Sequence, residues 1–281
     1  INSTKLTVTS ADTSIAAGEY AYYAQYIEGT NFSQCDFGNS GAKSVTLSFW
    51  VRSSATGTYC ITLANSASNR SFVSEYTISS ANTWEKKTIT VAGDTTGTWL
   101  TTTGIGLKVF FCLAVGSTYQ QSAGSWGTTS FAFGSSNQTN WLGTNGNTLY
   151  ITGAQLEIGD VATAFEHEDF GTTLAKCQRY YNRMNADAYQ KGLDNDRFGK
   201  TTVLFPVEMR AVPTLGSSAA NTFALYDTSG NIALTAISIN VPNTWGTNLT
   251  VTVSSGLTGG QVSQLMANNN ADSFLEFKAE L

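Results

Sequence analysis

The sequence predicts an all-β protein made of a jelly-roll β-sandwich, a short linker helix and a second, small β-sandwich or barrel domain. Short segments with alternating apolar and polar residues recur along the chain, clusters of Gly, Ser, Asn and Thr separate them, and only one segment has helical spacing. A chain of 281 residues has room for two domains with separate cores. We expect the jelly roll over residues 1–170, the helix and linker over 171–200, and the C-terminal β domain over 201–281.

The first domain is predicted to contain about eight strands. In the strand Ser44–Ser53, Val45, Leu47, Phe49 and Val51 alternate with Thr46, Ser48, Trp50 and Arg52, so one face is expected to be buried and the other to be open. Short strands at nearly regular spacing are typical of a sandwich or jelly roll. The remaining predicted strands are Lys5–Ser10, Tyr20–Glu28, Tyr59–Leu63, Phe72–Ile78, Trp84–Val91, Ile105–Val115 and Thr148–Ile158.

A change of period marks the link to the second domain. Leu174, Cys177 and Tyr181 have helical spacing, and Thr172 or Thr173 is a suitable N-cap. The polar segment Lys191–Lys200 contains two glycines and predicts a linker. Beyond it we expect five strands. The first contains Pro206, which has no N–H to donate to a neighbouring strand, so this strand is an edge strand or Pro206 points its backbone outward. These strands are Val203–Met209, Thr222–Tyr226, Ile232–Ile239, Leu249–Val253 and Phe274–Leu281.

The composition excludes several classes of function. Ser, Thr, Asn and Gly make up 116 of the 281 residues, only 12% are charged, and the net charge is −5, so the basic field that nucleic-acid binding needs is missing. The longest apolar run, Val109–Val115, is too short to insert across a membrane. The first ten residues have neither the basic nor the apolar region of a signal peptide, and we expect a further segment upstream of Ile1.

Uncharged loops with aromatic residues are the strongest candidates for a binding surface. The 48 residues between Lys108 and Glu157 carry no charge. Such a face either packs against other subunits or binds neutral ligands such as glycans by ring stacking and hydroxyl hydrogen bonds. Outside these loops, Trp50 lies on the polar face of its strand and either packs beneath a loop or offers a stacking platform. The candidate glycan-binding residues are Trp126, Trp141, Tyr119 and Trp50.

The second domain also has a nearly uncharged surface. Between Ala211 and Ala271, Asp227 is the only charged residue. Neutral surfaces of this kind suit contact between identical chains, and we expect a homotrimer.

Catalytic chemistry has little support in the sequence, and we expect no enzyme and no catalytic residue. His167 is the only histidine, it lies among acidic residues at the junction of the domains, and the chain has no GxSxG motif, so a solvated junction is favoured over a catalytic or metal site. Nucleotide-binding glycine motifs are also absent. Hydrolysis of glycosides would need two carboxylates at a suitable distance, which the sequence alone cannot give. The available acids are Asp94, Glu75, Glu85, Glu157 and Glu166.

No cofactor is expected, although a structural calcium ion is an alternative. Glu28 and Glu157 both lie on strands of the first domain and would donate oxygens to one Ca²⁺, unless they are two ordinary surface acids. The four cysteines are too few and too widely spaced for a disulfide framework or a paired zinc site. The sequence leaves two alternatives open: four free thiols, or one or two disulfide bridges. The cysteines are Cys35, Cys60, Cys112 and Cys177.

Seven segments follow one another in a characteristic order and spacing. They are IEG at Ile27–Gly29, VTLSFWVRSSATGTY at Val45–Tyr59, NTWEKKTITVAGDTTGTW at Asn82–Trp99, LYITGAQLEIGDVATAFE at Leu149–Glu166, CQRYY at Cys177–Tyr181, FPVEMRAVPT at Phe205–Thr214 and LEFKAEL at Leu275–Leu281. This series resembles a domain of tailed-bacteriophage virion proteins described as tail fibre, tail spike or minor structural proteins, with a jelly roll similar to carbohydrate-binding modules. The resemblance covers nearly all of residues 1–183, and the last two segments resemble the tip domain of the same family.

The resemblance implies location on a virion and homotrimerisation, with other virion proteins and host-surface glycans as partners, but it assigns no ligand and no catalytic residue. At Ala162–Glu168 the sequence departs from the family pattern, because it lacks a proline and has acids where the family has basic residues. The function expected first is attachment to host glycans as a fibre or spike module. The alternatives are a purely architectural head fibre, collar whisker or decoration protein, and a polysaccharide-degrading tail spike.

Overall fold

A computed structural model describes residues 2–127, 131–185, 190–194, 198–227, 230–257, 262–268, 270 and 272–281, and these residues form an all-β fold, as predicted. The chain divides into two compact units, Ile1–His167 together with Leu281, and Glu168–Glu280. Within the described ranges, none of the helices is long and apolar enough to cross a membrane.

The first unit is a sandwich of two antiparallel sheets. A four-residue helix, α1 (Gly29–Phe32), follows the strand β2 (Tyr20–Glu28), and short 3₁₀ turns occur at Ser33–Cys35, Ser117–Tyr119 and Trp141–Gly143. In spatial order, the four-stranded sheet contains β1 (Thr4–Thr7), β9 (Thr148–Ile158), β3 (Val45–Ser53) and β6 (Glu85–Val91). The five-stranded sheet contains β2 (Tyr20–Glu28), β7 (Ile105–Val115), β4 (Gly57–Ala64), β5 (Ser71–Ile78) and β8 (Trp126–Gly127).

The core of this unit lies between the two sheets. The apolar face predicted for β3 is confirmed, because Val45, Leu47, Phe49 and Val51 are all buried in it. The Phe49 ring makes edge-to-face contacts with Phe111 and with Tyr76, at centroid distances of 5.1 and 5.3 Å. From the other sheet, alternate residues of β4 and β7 complete the core: Tyr59, Ile61, Leu63, Leu107, Val109, Phe111 and Leu113.

The outer face of the five-stranded sheet is covered by the chain itself. Cys60, Phe110 and Cys112 point away from the central core but are buried beneath the segment that contains Ala132 and Phe133. The Thr62 hydroxyl donates a hydrogen bond of 2.8 Å to the Phe133 carbonyl oxygen and fixes this segment to the sheet. Burial within the same chain therefore accounts for much of the uncharged character of the stretch between Lys108 and Glu157, without any other subunit.

The second unit contains a helix, a barrel and a small sheet. The helix α2 spans Phe170–Gln178, and a 3₁₀ turn lies at Ala220–Thr222. Six antiparallel strands close a barrel in the order β11 (Gln190–Asp194), β12 (Phe198–Leu204), β16 (Gly246–Val253), β15 (Gly230–Pro242), β14 (Phe223–Asp227) and β17 (Val262–Ala267). A three-stranded sheet has the order β10 (Tyr181–Asn185), β18 (Phe274–Lys278) and β13 (Thr214–Ser217).

The N-terminus of α2 differs from the prediction. Asp169, rather than Thr172 or Thr173, is the N-cap, and its Oδ1 accepts a hydrogen bond of 2.9 Å from the Thr172 backbone N–H. A carboxylate in this position satisfies one of the helix's free N–H groups and also interacts favourably with the helix dipole.

Two predictions about the C-terminal half were wrong. The segment 191–200 is not a linker, because β11 and β12 pair within it and both belong to the barrel. Nor is Val203–Met209 one strand, since β12 ends at Leu204, two residues before Pro206. Phe205 and Met209 are nevertheless buried, and their N–H groups donate to the carbonyl oxygens of Trp245 and Thr244.

Candidate functional site

Trp141 is part of the core of the sandwich and does not form a binding platform. Its side chain is only 2% exposed and packs in the cluster between the sheets. Asn140 caps the short 3₁₀ turn that carries it by accepting a hydrogen bond of 3.1 Å from the Leu142 N–H. The prediction that Trp141 stacks on a ligand is therefore wrong, because no face of the indole is open.

Trp126 and Tyr119 are also engaged within the fold. The Trp126 indole N–H donates to the Ala92 carbonyl oxygen at 2.8 Å, and the ring makes edge contacts with Trp99, Phe37 and Phe72. Tyr119 packs against Phe133 and Tyr20 on the covered face of the five-stranded sheet. Both rings are partly accessible, and their neighbours cover part of each ring.

Trp50 is the one predicted candidate that lies open. It belongs to the polar face of β3 and is 42% exposed. A β-bulge places it, because Gly153 and Ala154 of β9 together face the single residue Phe49. Gly153 has a φ of +57°, which a glycine adopts without strain, and the space above it lies between Trp50 and Phe165.

A cavity of about 760 Å³ is built around Trp50 on the outer face of the four-stranded sheet. Three of its aromatic side chains are substantially exposed, at 42% for Trp50, 38% for Trp84 and 44% for Phe165. Hydroxyl, amide and imidazole groups stand between the rings. The cavity is lined by Asn2, Ser3, Trp50, Trp84, Thr152, Gly153, Phe165 and His167.

The residues after β9 fold back onto its outer face and bring Phe165 into the cavity. The Thr163 hydroxyl and N–H both donate to the Glu157 carboxylate, and the Glu166 N–H donates to Gln155 Oε1 at 2.8 Å. The hydrogen bonds from Thr163 hold the pKa of Glu157 below its ordinary value. We call residues 163–167 the strap. It fixes one wall of the cavity through ordinary side-chain hydrogen bonds.

The first strand supplies the opposite side of the cavity. Thr152 donates a hydrogen bond of 2.7 Å from its hydroxyl to the Asn2 carbonyl oxygen, which ties the start of the chain to β9. Asn2 and Ser3 therefore extend the line of β1 along the sheet, next to Thr152.

A row of aromatic and basic side chains runs beside the cavity. Lys5, Tyr150 and Arg52 are direct neighbours across β1, β9 and β3. The Tyr150 ring is 6.2 Å from the Trp84 ring, so the row and the cavity are continuous. We call Lys5, Tyr150 and Arg52 the basic row. None of these residues, nor Trp84 or Phe165, was among the sequence-derived candidates, although alternation on β3 places Arg52 on the same face as Trp50.

The acidic residues considered for catalysis do not meet in this cavity. Its eight lining residues, all within the described ranges, include no carboxylate. Asp94 is 2% exposed and receives two hydrogen bonds of 2.6 Å from Arg70. Glu85 accepts from Lys87 and from two backbone N–H groups, and Glu75 accepts from Asn137.

His167 is exposed at the boundary of the two units, in agreement with the predicted solvated junction, and it also lines the cavity. Its ring makes an edge contact with Phe165 at a centroid distance of 5.1 Å. The imidazole adds a hydrogen-bonding group to the wall of the cavity.

The two calcium candidates are placed on different sheets. Glu28 ends β2, is 1% exposed and accepts a hydrogen bond of 2.8 Å from Thr30, whereas Glu157 belongs to β9 and accepts from Thr163. Among the residues that the structure describes, no group of three or more His, Cys, Asp or Glu side chains is arranged to hold a metal ion. All four cysteines are free thiols, three of them buried and Cys177 exposed.

Comparison with known proteins adds little to this geometry. No protein-family model matches the chain, and no curated protein matches it. Among solved structures, a chain from the cryo-EM structure of T=1 Penaeus vannamei nodavirus aligns over 100% of this chain and 98% of its own length, at 7% identity and a TM-score of 0.21. A TM-score this low gives no support to a shared fold or function.

Proposed function

We propose that the chain is a noncatalytic structural protein of a tailed-bacteriophage virion, a fibre or spike module that attaches to host-surface glycans as a homotrimer. The observation that carries the attachment function is the open cavity with Trp50, Trp84 and Phe165 exposed in its walls. The virion assignment depends on the resemblance of the motif series in residues 1–183.

The cavity has the properties that sugar binding requires. Exposed indole and phenyl faces pack against the apolar C–H faces of a pyranose ring, while Asn2, Ser3 and Thr152 offer hydrogen-bonding groups for its hydroxyls. The absence of carboxylates among the lining residues of the described cavity favours binding over glycoside hydrolysis, which uses a pair of them. Weak single sites suffice when three copies bind together.

The architectural role has its own support in the second unit. Leu204, Val241 and Trp245 are 75%, 53% and 61% exposed, and the register of β12, β15 and β16 places them at one end of the barrel. Exposed apolar side chains of this size are suited to contact with another protein chain. The two roles are compatible, because one concerns the sandwich and the other the barrel.

The proposed function is tested by measuring binding of the purified chain to an array of bacterial surface glycans, with its mass in solution determined in the same buffer. We expect saturable binding by a trimer. Trp50→Ala should weaken the binding of a soluble oligosaccharide at least about tenfold, which corresponds to about 1.4 kcal/mol.

Trp245→Ala is the matched control, since it removes an exposed indole from the barrel instead of the cavity. It should leave the affinity of a single site unchanged. Any effect of this variant should be on the oligomeric mass of the chain in solution. Absence of binding by a well-folded trimer would refute glycan attachment and favour the architectural role.

A further inference from the structure

The basic row has no acidic partner among the described residues. The ion pairs among the described residues include Arg70–Asp94, Lys87–Glu85, Lys176–Glu168 and Lys278–Glu276. Neither Lys5 nor Arg52 takes part in an ion pair there. The chain carries 20 acidic and 15 basic residues, so acids are in excess. Two neighbouring cations without a carboxylate partner give this face a local positive charge, which an anionic ligand would neutralise.

Tyr150 lies between the two cations. The Lys5 Nζ is 5.7 Å from the centre of its ring and the Arg52 Cζ is 5.4 Å from it. A cation over an aromatic face is attracted by the ring quadrupole while its hydrogen-bond donors remain free for another group. The Arg52 Nε is buried and has no hydrogen-bond partner in the described part of the chain. Because the Nε is buried, a ligand on the open face would reach the guanidinium through its terminal Nη groups.

The third cation of this face has a different environment. Lys86 is the neighbour of Trp50 across β3 and β6, and its charge adds only a small contribution, after the hydrogen bonds from Thr163 and Gln155, to the lowered pKa of Glu157. Glu157 is five residues along β9 from Thr152, or about 17 Å at the usual rise of a strand. The open face therefore has a carboxylate at one end of β9 and the basic row at the other.

The spacing between the cavity and the basic row suits one extended ligand. Arg52 is two residues from Trp50 on β3, and Tyr150 is two residues from Thr152 on β9. Two residues of a strand correspond to about 7 Å. A ligand with one sugar ring on Trp50 can thus present a charged substituent, or a second sugar, to Arg52 and Lys5.

We propose that the cavity and the basic row together bind an acidic glycan, in which a pyranose ring stacks on Trp50 and a hexuronic-acid carboxylate is bound by Arg52, with Lys5 adding positive charge on the other side of Tyr150. This proposal rests on the glycan-attachment function proposed above and specifies the class of sugar. A carboxylate matches the planar guanidinium of Arg52, which donates two parallel hydrogen bonds to such a group, and Lys5 adds a second positive charge.

The test uses the whole chain and an array on which uronic-acid-containing bacterial polysaccharides are printed beside their carboxyl-reduced forms. Reduction converts each carboxylate to a neutral CH₂OH group and leaves the rest of the sugar unchanged. We expect the wild-type chain to bind at least one acidic form, and to bind its reduced form about 10- to 100-fold more weakly, in line with the loss of a charge-assisted contact.

Variants separate the two parts of the site. Arg52→Gln and, independently, Lys5→Gln should weaken binding of the acidic polysaccharide and leave binding of the reduced form unchanged. Lys200→Gln removes one positive charge from the second unit and is the matched control, with no expected effect. Lys5 is exposed at the edge of the sheet, so its variant tests the proposal even where Arg52→Gln affects folding.

Each outcome has a distinct meaning. Equal binding of the acidic and reduced forms, lost in Trp50→Ala, would overturn the acidic-glycan proposal and leave glycan attachment intact. Binding that depends on Arg52 and Lys5 but not on Trp50 would also overturn it, because the sugar ring would then not occupy the cavity. Failure of the folded chain to bind any glycan, acidic or neutral, would refute the proposed function itself.

Discussion

The two outer faces of the sandwich are built from similar strands but differ in what lies over them. On the five-stranded sheet, Cys60, Phe110 and Cys112 are buried because the chain folds back and places Phe133 on them. On the four-stranded sheet, Trp50 is exposed and Arg52 is half-buried, and the strap covers only one side of the cavity. Aromatic residues therefore stabilise the fold on one face and are free to bind on the other.

This comparison shows how to interpret an uncharged, aromatic-rich loop. Such a loop meets the requirements of a ligand-binding surface and of a covering segment equally well, since both need apolar contact and few charges. The property that separates them is the exposure of individual rings, which is 2% for Trp141 and 42% for Trp50. The same residue type has opposite roles in the two places.

The largest effect is expected from a matched pair of substitutions, Trp141→Ala and Trp50→Ala. Trp141→Ala opens a cavity in the core and should lower the free energy of unfolding of the sandwich by about 3–5 kcal/mol. Trp50→Ala removes an exposed ring and should change the free energy of unfolding by no more than about 0.5 kcal/mol. Denaturant unfolding followed by circular dichroism measures both.

The order of the two variants is reversed for binding. Trp141→Ala, assayed under conditions in which it is folded, should bind glycan like the wild type, whereas Trp50→Ala should not. Similar stability losses in the two variants would contradict the placement of Trp141 in the core and of Trp50 on the open face.

The second effect concerns the reactivity of the cysteines. Burial raises the pKa of the Cys35 thiol to about 11 and also raises the pKa values of Cys60 and Cys112. At pH 8 these three thiols are therefore protonated as well as inaccessible, while Cys177 is exposed. We expect iodoacetamide to label Cys177 alone in the native chain and all four cysteines after unfolding, as measured by mass spectrometry.

Rapid labelling of Cys60 or Cys112 in the native chain would show that the segment around Phe133 does not cover the five-stranded sheet. Labelling of Cys35 provides the internal reference, because its burial does not depend on that segment.

Much of the sandwich was predictable from sequence. The bounds of β2, β7 and β9 agree with the predicted strands, because β2 and β9 alternate with period two, β7 contains a continuous apolar run, and turn residues flank all three. The second unit was less predictable. Strands such as β13, with the sequence TLGS, are short and contain glycine, so their pairing depends on partners distant in the chain.

The candidate site was predictable only in part. Alternation placed Trp50 on the polar face of β3, and a glycine within the β9 pattern is the usual sign of a bulge. Trp84 and Phe165 come from segments 81 residues apart in sequence and meet Trp50 only because β6, β3 and β9 are neighbours. Whether a loop tryptophan is covered is likewise a property of tertiary packing, which explains the error on Trp141.

A smaller effect is expected from Gly153→Ala. A Cβ at this position would lie 3.4 Å from Trp50 and 3.8 Å from Phe165, and the backbone φ of +57° disfavours any side chain. We expect a loss of about 1–2 kcal/mol in the free energy of unfolding from the backbone strain, and a several-fold weaker affinity because the new methyl group fills the floor of the cavity.

Gly146→Ala is the matched control for this substitution. Gly146 has a φ of +80°, but no atom lies within 4 Å of the place that an alanine methyl group would take, so a similar loss of stability should leave the affinity unchanged. Equal affinity in the two variants would mean that the ligand does not reach the space above Gly153.

The smallest effect is the pH dependence of the strap. Because hydrogen bonds from Thr163 lower the pKa of Glu157, the folded strap is stabilised at pH values above the ordinary glutamate pKa, and this contribution is lost as the pH falls through the lowered value. Glycan affinity should therefore decline only in strongly acidic solution. In Glu157→Gln the decline that depends on the Glu157 carboxylate should disappear. Titration of oligosaccharide binding between about pH 3 and pH 7, the range in which carboxylates titrate, would detect this difference.

The most direct test of the open-face account is hydroxyl-radical footprinting of the chain with and without a saturating glycan, read out by mass spectrometry. The account predicts that the ligand protects Trp50, Trp84 and Phe165 from oxidation and leaves Trp126 and Tyr119 unchanged. Protection of Trp126 and Tyr119 with no change at Trp50 would contradict it and would place the binding surface on the covered face of the sandwich.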